Sequence, residues 1–270
     1  LKGIGYTVFD SRRGPEPFGF EVLGVLHHYL GPGGDLIIAR LTGDAIVRTG
    51  VISGMSGSPA YVDGKLLGAV GYRFGEFTAE PIAGITPIEL MMTSTGGTST
   101  SKTRKQSESS TPFGRAIPLR TPLWVGGMNA HVAAAFADLL QARGYGPVVP
   151  TGGMVTSSSD PVFAEPGERL YASGPIAGVL VDGPTNMAGI GTVTWVSGDR
   201  FLAFGHPFLD TGASTMLVRN AQILTTVASQ SGSWKMGQPT TFVGRLTDDR
   251  TPAIAGVMGV EPEMVPVDIF

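Results

Sequence analysis

The chain has 270 residues, 42% of them hydrophobic and only 15% charged, and its formal net charge is −3. This length allows one large domain or two of ordinary size, and the weakly acidic charge argues against nucleic-acid binding, which normally needs a basic face. The chain has no cysteine, which excludes disulfides, thiolate catalysis and thiolate metal sites.

The glycines and prolines predict many short strands joined by turns. There are 40 glycines and 20 prolines, spread along the chain without a collagen period. In residues 1–92 the apolar runs that predict strands are 5–9, 18–26, 35–41, 60–62, 66–72 and 82–88. An Asp63-Gly64 pair separates two of these runs and predicts a β-hairpin. We therefore expect a β-rich module at 1–92.

The composition changes after this module. Residues 93–114 are rich in serine, threonine and glycine and predict a flexible linker. Residues 115–169 are expected to form a helical connection, since Asn129 can cap a helix that runs to Arg143. From 170 to 270 the strand pattern returns, with apolar runs at 176–181, 191–196, 201–204, 221–228, 240–246 and 254–258. The sequence thus predicts two β modules joined by a linker and one helix.

One serine in the first module lies in a glycine-rich turn. Residues 50–70 are GVISGMSGSPAYVDGKLLGAV, and the predicted hairpin follows Ser56 directly. A nucleophilic serine needs exposure, a base within reach, and backbone amides aimed at the developing oxyanion. Flanking glycines allow consecutive amides to turn inward, which makes the amides of Gly54 and Ser56 candidates for an oxyanion hole. An ordinary Gly/Ser/Pro turn is the alternative interpretation.

This segment resembles the nucleophile segment of the SpoIVB family of serine peptidases. DRFLAFGHPFLDTG at 199–212 resembles the family's histidine segment, and GRLTDDRTPAIAGVMG at 244–259 is similar to the stretch that follows it. In the family the histidine segment comes first, whereas here Ser56 precedes His206. The resemblance implies a mostly β fold of two β-barrel-like modules of chymotrypsin-like type, permuted, with one intervening helix. A catalytic triad can still form when the serine precedes the histidine, because a triad is defined by geometry rather than chain order.

Four histidines are candidates for the general base. His27 and His28 are expected in a surface turn, and His131 at the start of the helix. His206 lies between a glycine and a proline at the end of an apolar run, where it can act as a base or only hold the turn through hydrogen bonds. The resemblance favours His206 as the base.

The sequence specifies the acid of the triad less well than it specifies the serine and the histidine. The family's acid lies a little upstream of the serine, and Asp44 is near that position, so the resemblance implies that Asp44 orients the imidazole. Asp35 and Asp210 are alternatives. Each of the three is also compatible with a solvated turn aspartate.

The functional hypothesis is a serine endopeptidase that cleaves a protein or peptide substrate, or itself, through an acyl-enzyme. Its catalytic residues would be Ser56, His206 and Asp44, with the Gly54 and Ser56 amides as the oxyanion hole and with no cofactor or metal. The alternative is a catalytically inactive peptidase-like module that binds a partner protein at the cell envelope through exposed strands.

The resemblance also implies a location and an open question of assembly. The resemblance implies an exported protein. Because neither a signal peptide nor an apolar run of roughly 18 residues is present, we expect its leader to be absent from this sequence. The serine half and the histidine half can meet within one chain, or across a homodimer in which one protomer supplies each half.

Overall fold

The computed structural model describes residues 1–75, 80–95, 114–141, 145–151, 169–230 and 232–267. The protein is mostly β, with 54% strand and 11% helix, and contains two closed six-stranded antiparallel barrels. The predicted fold class is therefore confirmed. The predicted linker at 93–114 lies largely outside the described residues.

The first barrel is built from the first six strands. They are Lys2–Val8 (β1), Pro15–Leu26 (β2), Leu36–Thr42 (β3), Pro59–Val62 (β4), Lys65–Phe74 (β5) and Ile82–Pro87 (β6). Their order is β1-β2-β3-β6-β5-β4, and β4 pairs with β1 to close the barrel. The predicted hairpin joins β4 to β5 through Asp63 and Gly64, whose φ values of 48° and 74° suit a tight hairpin turn.

Two short helices in this half were not foreseen from the sequence. Asp44–Thr49 (α1) begins after Gly43 and ends at Gly50, whose amide donates to the Ile46 oxygen. Ile46 is buried in the barrel's main apolar cluster, which fixes α1 beside β3. Ile88–Met92 (α2) follows β6 and leads into a single 3-10 turn at Thr93–Thr95.

The region between the barrels supplies strands to both sheets. It contains Ala116–Pro118 (β7), Leu123–Gly126 (β8), Ala130–Gln141 (α3) and Val148–Thr151 (β9). The predicted helix is confirmed as α3, and the Asn129 side chain caps it by accepting hydrogen bonds from the amides of His131 and Val132. Among the described residues of this connection, β7 extends the first sheet while β8 and β9 extend the second.

The second barrel follows with six more strands. They are Pro175–Val181 (β10), Asn186–Ser197 (β11), Arg200–Ala203 (β12), Gly212–Val227 (β13), Trp234–Arg250 (β14) and Ala253–Met258 (β15). Their order is β10-β13-β14-β15-β12-β11, and β11 pairs with β10 to close the barrel. Within the described part of the chain, no helix is both long enough and apolar enough to cross a membrane.

The two barrels pack against each other within one chain. Ser53, just before the serine turn, forms a parallel bridge with Trp234 at the start of β14. The Ser53 amide donates to the Ser233 oxygen over 2.9 Å, and the Lys235 amide donates to the Ser53 oxygen over 3.0 Å. This junction places the serine turn beside the second barrel.

Candidate active site

Two glycines shape the serine turn between α1 and β4. Gly54 and Gly57 have φ values of 91° and 94°, a region that residues with a Cβ rarely occupy. A Cβ on Gly57 would lie 1.9 Å from the Thr192 oxygen and 2.5 Å from the Phe204 nitrogen. Glycine at position 57 is therefore required for the close contact between this turn and the second barrel.

Backbone hydrogen bonds hold Ser56 at the junction of the barrels. The Thr192 amide on β11 donates to the Ser56 oxygen over 2.8 Å, and the Gly57 amide donates to the Val70 oxygen on β5 over 2.8 Å. The Ser56 side chain is completely buried, and its Oγ has no hydrogen-bond partner among the described residues. Because buried polar groups are normally paired, an unpaired hydroxyl at this depth calls for an explanation beyond packing.

A second strained turn presents His206. Phe204 and Gly205 follow β12 with φ values of 71° and 67°, and the Thr86 hydroxyl on β6 donates to the Gly205 oxygen over 2.6 Å. This bond ties the histidine turn of the second barrel to the first barrel. The His206 imidazole is only 2% exposed and meets the Tyr72 ring edge to face, with ring centroids 6.5 Å apart.

The tautomer of His206 follows from its backbone contact. Nδ1 lies 2.6 Å from the Pro207 oxygen. Because a carbonyl only accepts, Nδ1 carries the hydrogen and Nε2 keeps a free lone pair. Nε2 has no partner among the described residues. Burial lowers the pKa of His206 to about 4, so the imidazole is neutral at pH 7 and its Nε2 is able to accept a proton.

The structure brings the serine and histidine segments into contact within one chain. Gly57 lies against Phe204, and a Cβ on Gly71 would lie 2.2 Å from the Gly205 oxygen. No hydrogen bond joins Ser56 Oγ to His206 Nε2, since each atom lacks a partner among the described residues. Both side chains are shielded from solvent, so a substrate can reach them only if the junction opens.

Asp44 is not placed to orient His206. It is an exposed first residue of α1, and its carboxylate is not among the hydrogen-bond partners of the imidazole. The Nδ1–H of His206 is instead satisfied by the Pro207 oxygen. The geometry thus corrects the expected Ser56, His206 and Asp44 triad, because a backbone carbonyl occupies the place predicted for the acid.

Neither of the two alternative acids accepts a hydrogen bond from the imidazole. Asp35 accepts hydrogen bonds at 2.9 Å from the His27 ring and from the His28 amide, in the surface turn predicted for these histidines. Asp210 is exposed in the loop that follows His206 and accepts no hydrogen bond from it. Neither aspartate replaces Asp44 as an orienting acid in this conformation.

The predicted oxyanion-hole amides are unused. Gly54 and Ser56 lie outside helices and strands, and neither amide donates a hydrogen bond to a described residue. The next two amides, of Gly57 and Ser58, both donate to backbone carbonyls. The amides left free for an anion are therefore the two that the sequence predicts.

Two residues near these turns were missed by sequence reasoning. Lys235 is completely buried beside Gly54, and the signal for it is that no other charged residue occurs between Arg219 and Arg245. Asp249 is also completely buried, and it accepts hydrogen bonds from the Phe208 and Leu209 amides in the loop after His206. The sequence carries no clear signal for Asp249, because this residue lies between the predicted strands at 240–246 and 254–258.

A cavity of about 400 Å³ opens between the barrels near this junction. Its walls include Ile46 and Thr49 of α1, Phe74 at the end of β5, and the loop residues Gln230 and Ser233. Ser56 and His206 do not line it. The cavity is therefore a neighbour of the candidate catalytic pair and is not its binding pocket in this conformation.

The described residues contain no group of three or more histidine, cysteine, aspartate or glutamate side chains that could hold a metal ion.

Comparison of the chain with protein-family models, curated proteins and solved structures finds no match in any of the three.

Proposed function

We propose that this chain is a serine endopeptidase of the SpoIVB type, permuted, that cleaves a protein or peptide substrate through an acyl-enzyme. The observation that carries the proposal is the contact between two glycine-containing turns, one with an unpaired Ser56 hydroxyl and one with an unpaired His206 Nε2. Two unused amides next to the hydroxyl add to its support. Export to the cell envelope and self-cleavage are parts of the same proposal.

Each residue would have a separate role in the reaction. Ser56 Oγ attacks the scissile carbonyl while His206 Nε2 takes its proton, and the Gly54 and Ser56 amides bind the oxyanion. His206 then gives the proton to the leaving amine, and water hydrolyses the acyl-enzyme by the same acid–base route. The Pro207 oxygen holds the imidazole in the tautomer that this route needs. Opening of the barrel junction must precede attack, because both side chains are buried.

A fluorophosphonate probe tests the proposal, since it reacts only with an activated serine. We expect labelling of the wild-type protein, with the adduct at Ser56, no labelling of Ser56→Ala, and at least about 100-fold slower labelling of His206→Ala. Ser197→Ala and His131→Ala are matched controls, because both residues are exposed and lie outside the two turns. Labelling that persists in Ser56→Ala would overturn the proposal.

The closed state of the site favours a second candidate function. Ser56 and His206 are both buried and not hydrogen-bonded to each other, and no carboxylate orients the imidazole. A peptidase-like module that has lost catalysis and binds a partner protein at the cell envelope fits these features. Wild-type protein that unfolds cooperatively but is never labelled would support this candidate over the enzyme.

A further inference from the structure

Lys235 is a completely buried lysine without an acidic partner among the described residues. It lies on β14 and is completely buried, and a Cβ on Gly54 would lie 3.2 Å from its Cβ. Its Nζ lies 2.6 Å from the Thr7 Oγ1 of β1 and 3.3 Å from the Thr192 Oγ1 of β11. The groups that face the amine are therefore two hydroxyls, one from each barrel.

Each of these two hydroxyls is also connected to the serine turn by hydrogen bonds. Thr192 Oγ1 donates to the Gly54 oxygen over 3.0 Å. On the other side, Ser58 Oγ lies 2.6 Å from the Met55 oxygen and 2.8 Å from Thr7 Oγ1. Because a carbonyl only accepts, the single hydrogen of Ser58 goes to Met55, and the Thr7 hydroxyl then donates to Ser58. Two hydroxyl chains thus run from Lys235 to the carbonyls of Gly54 and Met55.

One of these carbonyls, that of Met55, sets the direction of the Ser56 amide. The Met55 carbonyl shares a planar, trans peptide with the Ser56 amide, so fixing one fixes the other in the opposite direction. The Ser53 carbonyl shares a peptide with the Gly54 amide, and it is held by the Lys235 amide at 3.0 Å. The main chain of Lys235 therefore holds one proposed oxyanion donor, and its side chain holds the other.

We propose that Lys235 is a positioning residue for the oxyanion hole: its main-chain amide fixes the peptide of the Gly54 amide, and its side chain, acting through the Thr7 and Ser58 hydroxyls, fixes the peptide of the Ser56 amide. The Thr192 hydroxyl holds the intervening Gly54–Met55 peptide. This inference rests on the proposed function for its catalytic meaning, but the control of the turn conformation is a separate physical claim. A lysine that only fills space in the core would have no such effect.

The hydrogen count favours an uncharged amine. A neutral amine has two N–H groups, and two hydroxyl oxygens lie within reach, so every donor is used. Protonation would add a third N–H in a buried site, where an unpaired donor is costly. In agreement with this count, burial lowers the pKa of Lys235 to about 7.

The absence of cysteine from the chain allows a chemical test of the amine alone. Lys235→Cys provides a single thiol, which is alkylated in the unfolded protein with either bromoethylamine or iodopropane before refolding. The first product carries an amine at the end of a side chain as long as lysine, and the second has the same length without the amine. Labelling rates with a fluorophosphonate and hydrogen exchange of residues 52–58 are then measured.

We expect the aminoethylated protein to be labelled at a rate close to that of wild type. The propylated protein should be labelled about 10-fold to 100-fold more slowly, a smaller loss than removal of an oxyanion donor itself, and should exchange its 52–58 amides faster. Lys235→Met, which needs no refolding, should repeat the propyl result. Gln238→Met is the matched control, because this buried side chain on the same strand bonds only Gln222 among the described residues.

The two measurements separate the two proposals. Equal labelling and equal exchange in the aminoethylated and propylated proteins would overturn the role of Lys235. If wild type is not labelled at all, the proposed peptidase function fails, and exchange of residues 52–58 alone then decides whether Lys235 holds the turn. Faster exchange of these residues in Gln238→Met as well would assign the effect to general loosening of β14 and would also overturn the proposal.

Discussion

Gly57 and Phe204 are in backbone contact across the two barrels: a Cβ at position 57 would lie 2.5 Å from the Phe204 nitrogen. This contact joins the segment that carries Ser56 to the segment that carries His206. Since the two residues come from different barrels, the candidate site exists only while the barrels stay packed. A substitution at this contact therefore tests whether the site and the fold depend on each other.

Gly57→Ala should disrupt this contact severely. The added methyl would collide with the Thr192 oxygen, at 1.9 Å, in addition to the strain of a φ of 94°. We expect a loss of more than about 3 kcal/mol in the free energy of unfolding, measured by chemical denaturation, and loss of fluorophosphonate labelling. Gly64→Ala is the control, since that residue has a φ of 74° but nothing within 4 Å, and it should cost only about 1–2 kcal/mol. Similar losses in the two variants would show that the contact is not tight.

The rate of fluorophosphonate labelling should stay high down to an unusually low pH. Burial lowers the pKa of His206 from 6.5 to about 4, so the neutral base persists well below pH 6.5. The rate should then fall by half near pH 4, measured in buffers where circular dichroism shows native protein. The unfolded state takes up a proton below pH 6.5 while the folded state does not, so stability also declines as the pH falls from 6.5 towards 4. A half-maximal rate near pH 6.5 in native protein would contradict a buried base.

The fold class was predictable from the sequence because the signals for its strands, turns and helix are local. The Asp63-Gly64 turn and the Asn129 helix cap act within a few residues, and the structure contains both. The lengths of β13 and β14 were missed, since their pairing shifts register at several places and so breaks the alternation of apolar residues.

The candidate site was predictable only where glycines mark it. The turns at Ser56 and His206 have visible motifs, and the structure places them in contact. The partner of the imidazole was not predictable, because it is the Pro207 carbonyl and every residue has one. The isolation of Lys235 among uncharged residues marks it in the sequence, but its partners depend on packing between the barrels and no local pattern encodes them.

Asp249→Asn should affect the site more than Asp44→Asn. The Asp249 carboxylate accepts hydrogen bonds from the Phe208 and Leu209 amides at 2.7 Å and 2.6 Å, which anchors the loop after His206. An asparagine would turn its amide group towards one of these donors and leave it unpaired, at a cost of about 1–3 kcal/mol. We expect slower labelling and lower stability for Asp249→Asn. Asp44→Asn, an exposed change, should alter neither; slower labelling of Asp44→Asn would restore Asp44 as the orienting acid.

The stability of the protein should rise with pH above neutrality because of Lys235. Burial lowers the pKa of Lys235 from 10.5 to about 7 in the folded state, whereas the unfolded chain keeps the proton up to about pH 10. Between these values unfolding takes up a proton, so the free energy of unfolding increases with pH, by at most about 1.4 kcal/mol per pH unit. Lys235→Met removes this contribution, and the difference between the two proteins should change from pH 7 to 10 and level off below pH 7. A difference in the free energy of unfolding between wild type and Lys235→Met that stays constant from pH 7 to 10 would mean that the amine keeps an ordinary pKa. That result would rule out the neutral lysine with two donors.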